Sequence, residues 1–169
     1  MTSSVTVRPT IRRATEADLP AIVRIYNQAI VSSVATFDLE PYAVEARREW
    51  FGQFGDEHPM FVAEAEGNVV GFAYYLPYRA KAAYARTKET TIYVDTGFHR
   101  RGVGRALYEA LIEHARRGGV HVLMAVLGGR NPASEALHRA LGFEQVGHYR
   151  EVGRKFGGWV DTYTFQKIL

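Results

Sequence analysis

Apolar and polar positions alternate from the start of the chain: Val5, Val7 and Ile11 fall on one side of an extended stretch and predict a strand over residues 5–13. Thr15 follows as a helix N-cap, with Glu16 and Asp18 placing negative charge in the first turn. Behind it Leu19, Ile22, Val23, Tyr26, Ala29 and Ile30 recur at helical spacing, so a helix is expected to about residue 30. Residues 31–41 have no clear period, and residues 44–54, with Trp50, Phe51 and Phe54 on one side, predict a shorter helix. Two strand-like runs, 60–65 and 69–78, flank the turn Glu66-Gly67-Asn68 and predict an antiparallel hairpin. A third β-rich run covers 88–95, where Thr90, Thr91, Ile92, Tyr93 and Val94 all favour a strand. From Val103 a helix presents Leu107, Ala110, Leu111 and His114 on one face and stops before Gly118-Gly119. A buried strand over 120–126 follows, then a helix opened by the cap-plus-N1 pair Asn131-Pro132 and stopped by Gly142. A closing antiparallel pair is expected around His148 and over 159–169. The order β-α-α-β-β-β-α-β-α-β-β, without repeat or linker, argues for one domain over residues 1–169 built as a mixed α/β sheet covered by helices.

Length and composition narrow the picture without changing it. The chain has 169 residues, enough for one domain with a single core. A formal net charge of +3 is compatible with a small polyanionic ligand and too weak to argue for a nucleic-acid partner. No cysteine is present, which removes disulfides, thiolate metal sites and a cysteine nucleophile together. The longest apolar run, 69–76, is far shorter than the ~20 residues a membrane-spanning helix needs. These features predict a soluble, cytoplasmic protein with no membrane partner. Histidines at 58, 99, 114, 121, 138 and 148 show no zinc-ligand spacing, so no metal is expected.

The stretch His99-Arg100-Arg101-Gly102-Val103-Gly104-Arg105 lies at a strand-to-helix junction, and its position gives it chemical meaning. Two glycines one residue apart remove side chains where a ligand approaches the backbone. The first-turn amides of the helix then point outward with the positive end of its dipole. Arg100, Arg101 and Arg105 add guanidinium groups able to pair with phosphate oxygens, so an anion of pyrophosphate size suits the loop. The alternative is a glycine-relaxed helix start with solvated arginines. A dinucleotide fingerprint fits less well, because Leu107 stands where the third glycine belongs and no acidic residue ends the next strand; the Gly-Lys-Ser/Thr phosphate loop is absent.

Arg101-Gly102-Val103-Gly104 after a strand resembles the acetyl-CoA loop of the GNAT N-acetyltransferases. The later stretch Asn131-Pro132-Ala133-Ser134, followed by Leu137-His138-Arg139-Ala140-Leu141-Gly142-Phe143, is similar to a second motif of that family. The resemblance implies the GNAT fold: a central, mostly antiparallel mixed sheet of about seven strands flanked by about four helices. It further implies acetyl-CoA as co-substrate, held by Ile92, Tyr93, Val94, Arg100 to Arg105, Asn131 and Ser134. Tyr78-Arg79-Ala80-Lys81-Ala82-Ala83-Tyr84, Glu89-Thr90-Thr91-Ile92-Tyr93-Val94 and Lys155-Phe156-Gly157-Gly158-Trp159-Val160-Asp161 resemble the phosphinothricin and methionine sulfone/sulfoximine acetyltransferases. That narrower likeness implies a small amino-acid-like acceptor, a homodimer, and a substrate site built from Phe37, Arg79, Ala80, Lys81, Tyr84, Glu89, Thr90 and Thr91.

Acetyl transfer to an amine needs a proton removed from the ammonium, a polarised thioester carbonyl and a protonated thiolate. Glu89 is the candidate base, against the alternative of a surface glutamate paired with Lys88 or Arg86. The Val94 N–H is the candidate carbonyl donor, because the resemblance lays the pantetheine arm along Ile92-Tyr93-Val94 like an added strand. His138 stands where many members of the family carry the tyrosine thought to protonate the thiolate. Arg79, Lys81, Arg86 and Lys88 place four cations around one connection, of which Arg79 or Lys81 is expected to meet an acceptor carboxylate. Two other readings stay open: a different amine or a protein N-terminus as acceptor, and an acyl-CoA sensor without turnover.

Overall fold

A computed structural model describes residues 8–169. Seven strands form one sheet in the order β1-β2-β3-β4-β5-β7-β6. They are β1 (Thr10–Arg13), β2 (Met60–Ala65), β3 (Asn68–Pro77), β4 (Thr87–Val94), β5 (Val122–Gly128), β6 (Glu144–Lys155) and β7 (Gly158–Ile168). Only β4 and β5 run parallel; every other neighbouring pair is antiparallel. Four helices, α1 (Leu19–Ser32), α2 (Arg48–Phe51), α3 (Val103–Arg117) and α4 (Pro132–Ala140), complete the layers. The mixed, mostly antiparallel seven-stranded architecture predicted above is therefore present.

The differences are local and have physical reasons. The first strand is short, Thr10–Arg13, and Val5 and Val7 lie outside the described residues. Thr15 and Asp18 close a 3-10 turn before α1: the Thr15 N–H donates to the Asp18 carboxylate at 2.8 Å. Arg12 holds the same carboxylate with both terminal guanidinium nitrogens, at 2.7 and 2.8 Å, fastening the helix start to β1. The predicted helix over 44–54 is a 3-10 turn, Glu45–Arg47, followed by the single turn of α2. Aromatic packing drives that segment: the Arg47 guanidinium lies 3.8 Å from the Trp50 ring centroid, and Trp50 and Phe54 both meet Tyr74.

The sheet divides the apolar interior in two. One core packs α3 on β2–β5 and β7 through Leu107, Tyr108, Leu111, Leu123 and Phe165. The other packs α1 and α2 on the opposite face through Ile22, Ile25, Val62 and Phe72. Between them lies the feature that positions the site. The parallel register of β4 on β5 ends at Thr90 with Ala125, whereas β4 itself continues to Val94 against β3. The two strands part, and the sheet opens from one face to the other.

Candidate active site

The opening between β4 and β5 is a cleft of about 270 Å³. Glu89, Thr91 and Tyr93 alternate with Thr90 and Ile92 along β4, so both faces of the strand contribute to its wall. The segment after α1 supplies Ala35, Thr36 and Phe37; β5 supplies residues 125–128; Asn131 and Ser134 come from the start of α4, His138 from its last turn, and Tyr108 from α3.

The backbone of β4 is open on the cleft side beyond Thr90. The Asp95 N–H donates to Val70 O at 2.8 Å and the Tyr78 N–H to Thr87 O at 3.2 Å. In an antiparallel pair this alternation turns the N–H and C=O of Ile92 and Val94 away from β3, toward the vacated β5 side. His99 donates a ring N–H to Val94 O at 2.9 Å. The Val94 N–H faces the gap, where a carbonyl oxygen or an extended chain would find a donor.

Glu89 carries a carboxylate with no hydrogen bond or ion pair among the described residues, and burial alone raises its pKa above the ordinary glutamate value. Neither sequence-adjacent cation neutralises it. Lys88 points to the other face of β4, within reach of His58, and Arg86 donates to Gly119 O at 2.8 Å. The surface ion pair considered for Glu89 is absent among the described residues, and burial makes the carboxylate hold a proton more readily than an exposed glutamate does.

His138 is 2% exposed and fully engaged. Its Nδ1 lies 2.7 Å from Ser134 O, which can only accept, so Nδ1 carries the proton; Nε2 then accepts from the Tyr108 hydroxyl at 2.7 Å. Burial lowers the imidazole pKa and keeps it neutral. Tyr108 in turn lies 3.0 Å from the Thr90 hydroxyl, which reaches Met124 O at 3.1 Å. The imidazole has no N–H aimed at the cleft; the hydroxyl that it holds is Tyr108. Sequence reading missed Tyr108. It lies four residues beyond Gly104, hence on the same helix face, and that spacing could have marked it.

The glycine-arginine loop stands beside the end of β4. Gly102 takes φ +87°, a left-handed conformation that admits glycine at little cost, and begins α3. The amides of Val103, Gly104 and Arg105 precede the first helical acceptor pairing, Ala106 N–H to Gly102 O at 3.1 Å. Val103 is a core side chain, so only its backbone can serve a ligand. Gly104 packs on α4: a Cβ there would lie 3.1 Å from Leu137 Cδ2. Of the three arginines, Arg101 pairs with Glu66 at 2.7 Å and Arg105 with Glu109 at 3.5 Å, while Arg100 makes no ion pair among the described residues. Asn131 caps α4, its Oδ1 accepting the Ser134 N–H at 3.0 Å, which leaves its amide N–H₂ free to donate.

Phe37, Glu89, Thr90 and Thr91 meet at the cleft. Arg79, Ala80, Lys81 and Tyr84 do not: they sit on the exposed β3–β4 connection, where the Arg79 guanidinium lies over the Tyr78 and Tyr84 rings at 4.9 and 5.5 Å. No group of three or more histidine, aspartate or glutamate side chains able to hold a metal occurs among the described residues.

Comparison with known proteins agrees with this architecture. A methionine sulfoximine/methionine sulfone acetyltransferase of Pseudomonas paraeruginosa is 40% identical over 94% of this chain and 92% of its own. A crystal structure of a phosphinothricin acetyltransferase from Sinorhizobium meliloti in complex with acetyl-CoA superposes with a TM-score of 0.91 at 37% identity, covering 95% of this chain and 88% of that one. A ribosomal-protein-alanine N-acetyltransferase structure from Brucella melitensis matches with a TM-score of 0.91 at 44% identity, covering 95% and 99%. The sequence profile of the acetyltransferase (GNAT) family matches residues 22–143. With its parted β4 and β5 strands and the glycine-arginine turn that opens α3, this chain belongs to the GNAT acetyltransferase family.

Proposed function

We propose that the protein transfers the acetyl group of acetyl-CoA to the α-amino group of a small amino-acid-like acceptor of the phosphinothricin, methionine sulfone or methionine sulfoximine type, by direct attack in a ternary complex. One observation carries this reading: the unpaired, desolvated Glu89 carboxylate shares a through-sheet cleft with the open backbone of Ile92 and Val94. The coenzyme supplies an activated thioester. The residues fit such a group, since the first-turn amides of α3 and Arg100 suit its diphosphate, and the free edge of β4 with Tyr93 and the Asn131 and Ser134 side chains suits its amide-bearing arm.

Glu89 takes a proton from the acceptor ammonium, directly or through one water, and the freed amine attacks the thioester carbonyl. The Val94 N–H meets the oxygen on which negative charge develops. The C–N bond forms as the C–S bond breaks, and the Tyr108 hydroxyl turns its one proton from His138 Nε2 to the departing sulfur, leaving a phenolate that regains a proton from the acceptor nitrogen by way of Glu89 or water. His138 thus acts behind Tyr108. Phe37 and Thr91 wall the acceptor on the Glu89 side, while Arg79, Ala80, Lys81 and Tyr84 stay outside the lining, so Arg79 or Lys81 meets the acceptor carboxylate only where it projects from the cleft toward their loop. A homodimer suits the exposed Phe156 and Trp159 on the β6–β7 turn.

Similarity to the Brucella protein favours a second reading, with a protein N-terminus as acceptor. A thiol-release assay with acetyl-CoA against methionine sulfone, methionine sulfoximine, phosphinothricin, standard amino acids, polyamines and short peptides separates the two. Saturable turnover with the sulfone or phosphinate compounds is expected. Turnover confined to peptides moves the acceptor to a protein N-terminus, and coenzyme binding without turnover favours a sensor.

A further inference from the structure

None of the four cations around the β3–β4 connection lines the catalytic cleft. Arg86 and Lys88 line a separate cavity of about 140 Å³ at the opposite end of β4, with Tyr75, His114 and the turn Gly118-Gly119. Lys88 is only 7% exposed. An ammonium has three N–H donors, and a buried donor left without a partner is costly. Lys88 has one weak acceptor, His58 Nε2 at 3.3 Å; the Glu57 carboxylate, at 3.9 Å, is beyond hydrogen-bond reach and mostly solvated.

Nothing nearby spends the remaining donors. Arg86 uses its Nε on Gly119 O and makes no ion pair among the described residues, so the rest of its guanidinium is unspent. Asp56, also at the rim, is committed to Arg13 at 3.0 Å. The second Arg13 nitrogen, Nη1, is buried without a partner. The Tyr75 hydroxyl and His114 Nδ1 lie 2.7 Å apart, and burial pushes the Tyr75 hydroxyl up to about 12 and both His58 and His114 down, so the only negative charge near Lys88 among the described residues is the distant, solvated Glu57 carboxylate. A buried ammonium and a guanidinium face a space large enough for a small anion, whose lining also includes the solvated Glu57 carboxylate and Asp56, which is paired with Arg13.

We propose that this cavity is a second ligand site, specific for a small oxyanion, either a tetrahedral phosphate-like group or a carboxylate, with Lys88 as its principal donor and Arg86 at its mouth. Nothing in the proposal depends on the acetyl-transfer reading, because the site lies on the far side of Glu89 and shares no lining residue with the cleft.

Inorganic phosphate and acetate, titrated separately while the assigned ring resonances of His58 and His114 are followed by NMR at constant pH, test it. These rings adjoin the cavity, so phosphate captured by the glycine-arginine loop does not report there. A saturable shift with either anion is expected, the preferred one identifying the group, and Lys88→Met should weaken it at least tenfold with the apolar stem retained. Absence of a saturable shift with both anions, or an unchanged affinity in Lys88→Met, would overturn the proposal. Should Lys88→Met fail to fold, Arg86→Gln answers the same question: a loss of threefold or more supports the site, and an unchanged affinity overturns it.

Discussion

Replacing Glu89 with Gln removes the unpaired cleft carboxylate while keeping its shape, and two readouts should move in opposite directions. kcat/KM should fall by about 10²-fold or more, with loss of the wild-type rise in rate as pH climbs through the Glu89 titration. Stability should increase at neutral pH. Burial raises the folded pKa above the unfolded value of 4.5, so ionisation of Glu89 costs stability above that range and costs nothing once both states are protonated. The melting temperature of Glu89→Gln should therefore exceed the wild type at pH 7 to 8, and the two should converge toward pH 4; an equally stable variant with unchanged rate would remove Glu89 from the mechanism. Tyr108→Phe takes away the hydroxyl between Thr90 and His138. Its kcat should drop by about tenfold or more with coenzyme affinity retained, measured by calorimetry beside steady-state kinetics. Glu89 was legible because the stretch Glu89-Thr90-Thr91-Ile92-Tyr93-Val94, leading to the glycine-arginine loop, marked it. Tyr108 was masked by its apolar neighbours, and the closed shell around His138 depends on contacts 4 and 30 residues away, which no local pattern carries.

The helices and strands themselves follow from period, and the ends of elements follow from a few polar contacts. Asp18 joins α1 to β1 through Arg12 and the Thr15 N–H, which together hold its carboxyl below the ordinary value of 3.8. That stabilisation is present above pH 3.8 and is lost as pH falls through the depressed folded value. Asp18→Asn should cost about 2 kcal/mol at pH 7 by denaturant unfolding, and the gap from wild type should narrow in acid. Gly128, at the end of β5, lets another segment lie against it: a Cβ there would sit 2.1 Å from the Val34 carbonyl oxygen. Gly128→Ala must push back the wall formed by residues 35–37, so KM for the acceptor should rise more than KM for acetyl-CoA, and a uniform effect on both would count against this placement. That wall had no readable period because its support is remote. Lys155 donates to Thr36 O at 2.9 Å across 119 positions, and Tyr26 meets the Thr36 hydroxyl at 2.8 Å.

Across the whole molecule, one topological event organises the site: the single parallel pair in the sheet parts after Thr90, while each strand keeps its other neighbour. Alternation and glycine placement carry the element order in the sequence, but strand divergence is a property of pairing, so the cleft and the exclusion of Arg79 to Tyr84 from its lining emerge only in three dimensions. Tyr149, Val152, Phe156 and Trp159 of the β6–β7 hairpin are exposed, and the proposed homodimer would cover them. Tyr149→Lys combined with Trp159→Ser should halve the mass measured by light scattering, whereas a wild-type monomer would contradict that expectation. The most direct test of the proposed chemistry is a two-substrate initial-rate analysis with methionine sulfone and acetyl-CoA, recording free thiol and N-acetyl product together. Direct attack predicts intersecting velocity lines and one thiol per acetylated amine, with no thiol released before the amine is added. Parallel lines with a thiol burst from enzyme and acetyl-CoA alone would contradict it.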